Sequence, residues 1–140
     1  MNGYYYQRAS IEASVIHRIF PEFELGGASE KYIIGWRQTT IGKQPFRFMI
    51  FLPSGYPDIV PNLYVINPKK LYQRQSCEEI PAHSHDFHML SKNSYGFAEI
   101  CHYTKENWHA ARSCLGVLHK GMLWSEAYVK RQLFLKSDDN

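Results

Sequence analysis

Between residues 4 and 20, Ile11, Val15 and Ile19 recur at every fourth position, with Ile16 and Phe20 one step round. Arg8, Glu12 and Arg18 fall on the other side. This period predicts an amphipathic helix whose isoleucine stripe faces the core, ended by Pro21. The pattern then shortens to a period of two. A short strand is expected over Glu22–Leu25, closing at Gly26-Gly27. Residues 30–38 set Tyr32, Ile34 and Trp36 against Lys31, Ile33, Gly35 and Arg37, and residues 45–52 put Phe46, Phe48 and Ile50 on one face. A fourth run covers Asn62–Ile66. Short connections join these into a four-stranded antiparallel meander packed by the first helix, an α+β fold. From Ala110 to about Leu135 the helical period returns, with Ala111, Cys114, Leu115, Leu118 and Met122 as its apolar stripe and Arg112, His119 and Lys120 away from it. Gly116 and Gly121 each cost about 1 kcal/mol there relative to alanine, and Gly121 is expected to mark a bend.

Two stretches escape these periods. Leu52–Pro61 carries Pro53, Pro57 and Pro61, which fix φ and remove donors, so it reads as a stiff excursion in which Tyr56-Pro57 suits a cis bond. From Asn67 to about Ser94 no period is visible, and so long an irregular stretch inside a compact domain points to function. It holds His83, His85 and His88 and runs into Tyr95-Gly96-Phe97-Ala98-Glu99-Ile100-Cys101-His102-Tyr103.

At 140 residues the chain suits a single domain, 1–140, and 44% hydrophobic with 15% aromatic residues is the composition of an ordered core. The net charge of +3 is scattered, so charge does not suggest nucleic-acid binding. No run approaches the apolar length of a membrane helix, and no export signal is visible, which points to the cytoplasm. Cys77, Cys101 and Cys114 are an odd set without framework spacing and suit a reducing compartment.

Spacing alone leaves Cys101 a core filler as readily as a nucleophile. The order of the elements adds to it. Helix, meander, irregular segment, cysteine, tryptophan and helix together resemble the ubiquitin-conjugating (UBC-like) fold. The residues that carry the resemblance are Phe51-Leu52-Pro53-Ser54-Gly55-Tyr56-Pro57-Asp58-Ile59-Val60-Pro61, similar to the family's strand-turn element, Gly96–Cys101, similar to its active-site segment, and Trp108. Leu90-Ser91-Lys92-Asn93 stands where the eukaryotic enzymes carry His-Pro-Asn, His102 replaces the leucine after the cysteine, and the C-terminal helices are shortened. These departures resemble the bacterial branch, especially the stand-alone conjugating-like proteins of short type II CBASS antiphage operons. There the implied protein client is the C-terminal tail of a cGAS/DncV-like nucleotidyltransferase.

The resemblance implies that Cys101 carries a client acyl group as a thioester. Cys114, on the helical stripe, reads as core, and Cys77 as an incidental thiol. If Gly96–Tyr103 is extended, His102 points away from its neighbour. His88 is better placed, because the irregular segment could fold it back to orient or polarise the thioester, the other reading being a surface polar residue. Asn93 ranks below it as an oxyanion donor. Cys77, His83, His85, His88, Cys101 and His102 lack a structural zinc spacing, so neither metal nor cofactor is expected. A rival reading is a catalytically silent UBC-like module that holds a partner on its Pro53–Pro61 surface. A cysteine hydrolase fits less well, since no ordered base and orienting group can be assigned.

Overall fold

In the computed structural model, residues 3–69, 71, 96–100 and 102–138 are described, with side chains as far as Arg131 in the last helix. Helix α1 spans Gly3–Ile19, followed by strands β1 (Glu24–Gly26), β2 (Lys31–Gln38), β3 (Pro45–Leu52) and β4 (Asn62–Asn67). A short strand β5 (Ala98–Glu99) and helix α2 (Cys114–Asp138) complete the order. Among the described residues the strands form one antiparallel sheet of five in chain order, one more than the four expected from alternation. A two-residue strand is too short to show a period of two, which is why β5 left no pattern in the sequence.

Both helices contact the sheet, α1 through β1 and β2, α2 through β3 and β4. The core between these layers is built from alternate residues: Phe46, Phe48, Ile50 and Leu52 of β3, and Leu63 and Val65 of β4, are all fully buried. In β2 the buried alternation falls on Ile33 and Gly35, while Trp36 is exposed. Phe46 stacks on Phe48 and meets Trp124 of α2 edge to face. Each fully buried phenylalanine contributes about 1.5–3 kcal/mol relative to an exposed one.

The first helix turns a different face inward from the isoleucine stripe. Ile11 and Ile19 are 60% and 52% exposed, and the buried side is Tyr5, Ala9, Glu12, Ala13 and Ile16. Small Ala9 and Ala13 allow close approach, and Glu12 is tolerated inside because its charge is satisfied. Arg8 pairs with Glu12 Oε1 at 3.0 Å, and the backbone N–H of Cys114 donates to Glu12 Oε2 at 3.2 Å. A period count cannot see such partners.

Helix α2 begins at Cys114 rather than near Ala110. Ser113 caps it, its Oγ accepting the Gly116 N–H at 3.1 Å, with Glu12 taking the neighbouring donor. It then continues unbroken past Gly121. A Cβ at Gly121 would stand 3.0 Å from Leu63 Cδ2, so that glycine serves close packing of helix on sheet, not a bend.

Candidate functional site

The Pro53–Pro61 excursion leaves β3 and returns to β4 as a hydrogen-bonded turn. Tyr56 N–H donates to Pro53 O, and the N–H groups of Asp58 and Ile59 both donate to Gly55 O. The Tyr56-Pro57 bond is cis, as expected. Trp108 is buried against this turn: its Nε1 donates to Pro57 O at 2.8 Å, and its ring packs against Tyr56 and Tyr103. Two of the sequence features that carried the resemblance, far apart along the chain, therefore meet.

Below the turn, the Tyr56 hydroxyl lies 3.1 Å from Cys114 Sγ. Burial pushes the Cys114 thiol up to about 12 and raises the Tyr56 phenol as well. A thiol so buried is inert at neutral pH. Cys114 is a core residue, as its place on the helical stripe suggested. Arg8 ties the same region to the chain before α2, donating from Nη2 to Arg112 O at 2.8 Å.

The chain leaving β5 is held on both sides of position 101. Ile100 is fully buried, and its N–H donates to Leu63 O at 2.9 Å. His102 is half-buried and hydrogen-bonds the Pro61 backbone. Burial pulls the His102 imidazole down to about 4, the Pro61 bond opposing and Lys120 adding to the fall. Its Nδ1 is buried without a partner among the described residues. His102 is thus neutral at physiological pH and belongs to the link with the proline turn. Among the described residues of the expected strand from Gly96 to Tyr103, strand pairing covers 98–100 and a bend falls at Tyr103.

Next to His102, the Tyr103 ring has the Arg112 guanidinium 4.6 Å and the Lys120 ammonium 4.7 Å from its centroid. Gly116 makes room for this arrangement, because a Cβ there would come within 2.8 Å of the Tyr103 hydroxyl. The result is a cationic border around Tyr103. The period count only placed Arg112 and Lys120 away from the apolar stripe. Their signal was indirect: a glycine inside a helix facing an aromatic, with cations four residues either side.

Cys101, His88, Cys77, His83, His85 and Asn93 lie outside the described residues. Among the described residues no group of three or more histidine, cysteine or acidic side chains could hold a metal ion, and no helix is long and apolar enough to cross a membrane. Comparison with protein-family models, with curated proteins and with solved structures finds no match to this chain.

Proposed function

We propose that this α+β domain is a UBC-like conjugating protein of the bacterial branch, similar to the stand-alone conjugating-like proteins of short type II CBASS operons. Cys101 is its nucleophile. In this reading the Cys101 thiolate attacks the activated carboxyl terminus of a protein client, the activating group departs, and the resulting thioester is passed to an amine, which restores the thiol. The client is the C-terminal tail of a cGAS/DncV-like nucleotidyltransferase, and activation comes from another protein.

One observation carries the reading furthest. The Pro53–Pro61 turn, Trp108 and both neighbours of Cys101 are joined at one end of the sheet, by Trp108 to Pro57, His102 to Pro61 and Ile100 to Leu63. Arg112 and Lys120 flank Tyr103, two residues after Cys101 in the chain, and positive charge near a cysteine favours its thiolate. The contrast with Cys114, held as a thiol in the core, supports Cys101 as the reactive cysteine. The rival reading of a silent binding module draws on Ile59, 54% exposed on the otherwise pinned turn.

The two readings part on a covalent adduct. Intact-mass analysis of the protein mixed with a cGAS/DncV-like nucleotidyltransferase and its activating partner is expected to show an adduct released by hydroxylamine and mapped to Cys101. An adduct on Cys77, or binding with no covalent product, contradicts the proposal. In single turnover, His88→Ala is expected to slow transfer by about 10²-fold, the scale of one positioned catalytic group. His102→Ala should slow it much less.

A further inference from the structure

At the opposite end of β3 from the proline turn, a cavity of about 380 Å³ opens between the β2–β3 hairpin and α2. The rise along an eight-residue strand separates the two ends by about 24 Å. Most of the residues around the cavity carry polar side chains, yet by area its wall is mostly apolar, with Met122 and Leu123 contributing from the helix. That is the composition of a small-molecule pocket, and the volume lies toward the small end of the usual range of about 300–1,000 Å³.

Its frame is preformed. Thr39 is buried, donates from Oγ1 to Ile41 O at 2.6 Å and accepts the Gln44 N–H at 2.9 Å, which fixes the hairpin loop. Glu126 of α2 clamps this loop from the other side. Its Oε1 accepts the Thr40 and Ile41 N–H groups at 2.8 and 3.3 Å, and its Oε2 accepts Thr40 N–H at 2.9 Å.

Arg37 and His119 also line the cavity. The Arg37 guanidinium lies 4.7 Å from the centroid of the Phe20 ring, and His119 meets the same ring edge to face. Among the described residues neither side chain has a hydrogen-bond acceptor or an ion-pair partner. Arg37 is therefore oriented by stacking while its donors are unspent, so a ligand there does not have to order the side chain first.

We infer that this cavity binds a small monocarboxylate with an apolar body, its head on Arg37 and its tail along Met122 and Leu123. The guanidinium fork matches a planar carboxylate. Glu126 lies close enough to feel Arg37, so one negative charge on the ligand is better tolerated than the two of a phosphate. Leu123, 70% exposed at the rim, is the surface an alkyl or aryl body would cover. The site lies at the far end of β3 from the proline turn and does not depend on the conjugating activity.

Octanoate is a suitable probe, with octanol and octylamine as matched neutral and cationic controls. In amide NMR titrations, octanoate should shift Thr40, Met122 and Leu123, with octanol at least about tenfold weaker, as the loss of one charge-assisted contact implies. Arg37→Gln should weaken octanoate by a similar factor. Leu123→Glu, which changes an exposed side chain and leaves the core intact, should weaken it independently. Arg47→Gln, over Trp36 in the same sheet, should leave it unchanged. Equal binding of octanol or octylamine overturns the inference. So does unchanged affinity in folded Arg37→Gln and Leu123→Glu, or the absence of shifts up to the solubility of octanoate.

Discussion

The Leu52 end of β3 and its Pro45 end treat polar groups in opposite ways. At the Leu52 end the protein pairs most of them internally, with His102 Nδ1 the exception among the described residues. The Tyr5 hydroxyl donates to Leu52 O at 2.6 Å and accepts the Lys31 N–H at 2.7 Å, Trp108 donates to Pro57, and Glu12 joins Arg8 to the start of α2. At the Pro45 end the loop is clamped by an exposed carboxylate, and Arg37 keeps its donors free beside a cavity. The first arrangement fixes one geometry, because a buried polar group that loses its partner costs about 1–3 kcal/mol. The second leaves interaction energy for something outside the chain. On the proposed reading, rigidity surrounds the position of the nucleophile, and spare capacity lies at the far end.

The sharpest way to break this contrast is Trp108→Ala. It removes a buried ring, its bond to Pro57 and its packing on Tyr56 and Tyr103, and should cost about 3–5 kcal/mol in denaturant unfolding. A loss below about 1 kcal/mol would mean that the turn is not interlocked.

Acid should act on the same end. His102 takes up its proton near 4 in the folded protein, whereas an unperturbed histidine does so near 6.5. Between those values the unfolded chain binds the extra proton, so stability contributed above about pH 6.5 is lost as pH falls toward 4. Urea midpoints at pH 7 and pH 5 should show a fall of about 1–2 kcal/mol that His102→Gln reduces. An identical fall in the variant would remove His102 from the account.

The smallest effect belongs to the Pro45 end. Hydrogen bonds from Thr40 hold the Glu126 carboxyl below its ordinary range, so its contribution is present above the unfolded value near 4.3 and is lost as pH falls through the lower folded one. The group is largely exposed, and Glu126→Gln should cost less than about 1 kcal/mol at pH 7 by thermal melting. A cost like that of Trp108→Ala would erase the difference between the ends.

How far the sequence could be read follows from the same physics. Alternation in β3 was legible, because Phe46, Phe48 and Ile50 are all buried on one face, the strand packing against α2. Prolines 53, 57 and 61 correctly marked a stiff turn, and Cys114 a core position. The isoleucine stripe of α1 misled, since tertiary partners made Glu12 a better inward residue than Ile11. Gly121 suggested a bend because a propensity count omits Leu63 packed against it. His102 was judged by strand period, whereas its surroundings are set by Pro61, forty-one residues earlier and invisible to any local pattern. The catalytic proposal rests on motif order together with this geometry around position 101.

The most direct test of that proposal compares Cys101→Ala with the parent in adduct formation and in thermal melting, on the same preparations. The account predicts an unchanged melting profile and complete loss of the hydroxylamine-sensitive adduct, with Cys77→Ala retaining it. Loss of adduct in proportion to lost folded protein, or an adduct that persists in Cys101→Ala, would contradict it.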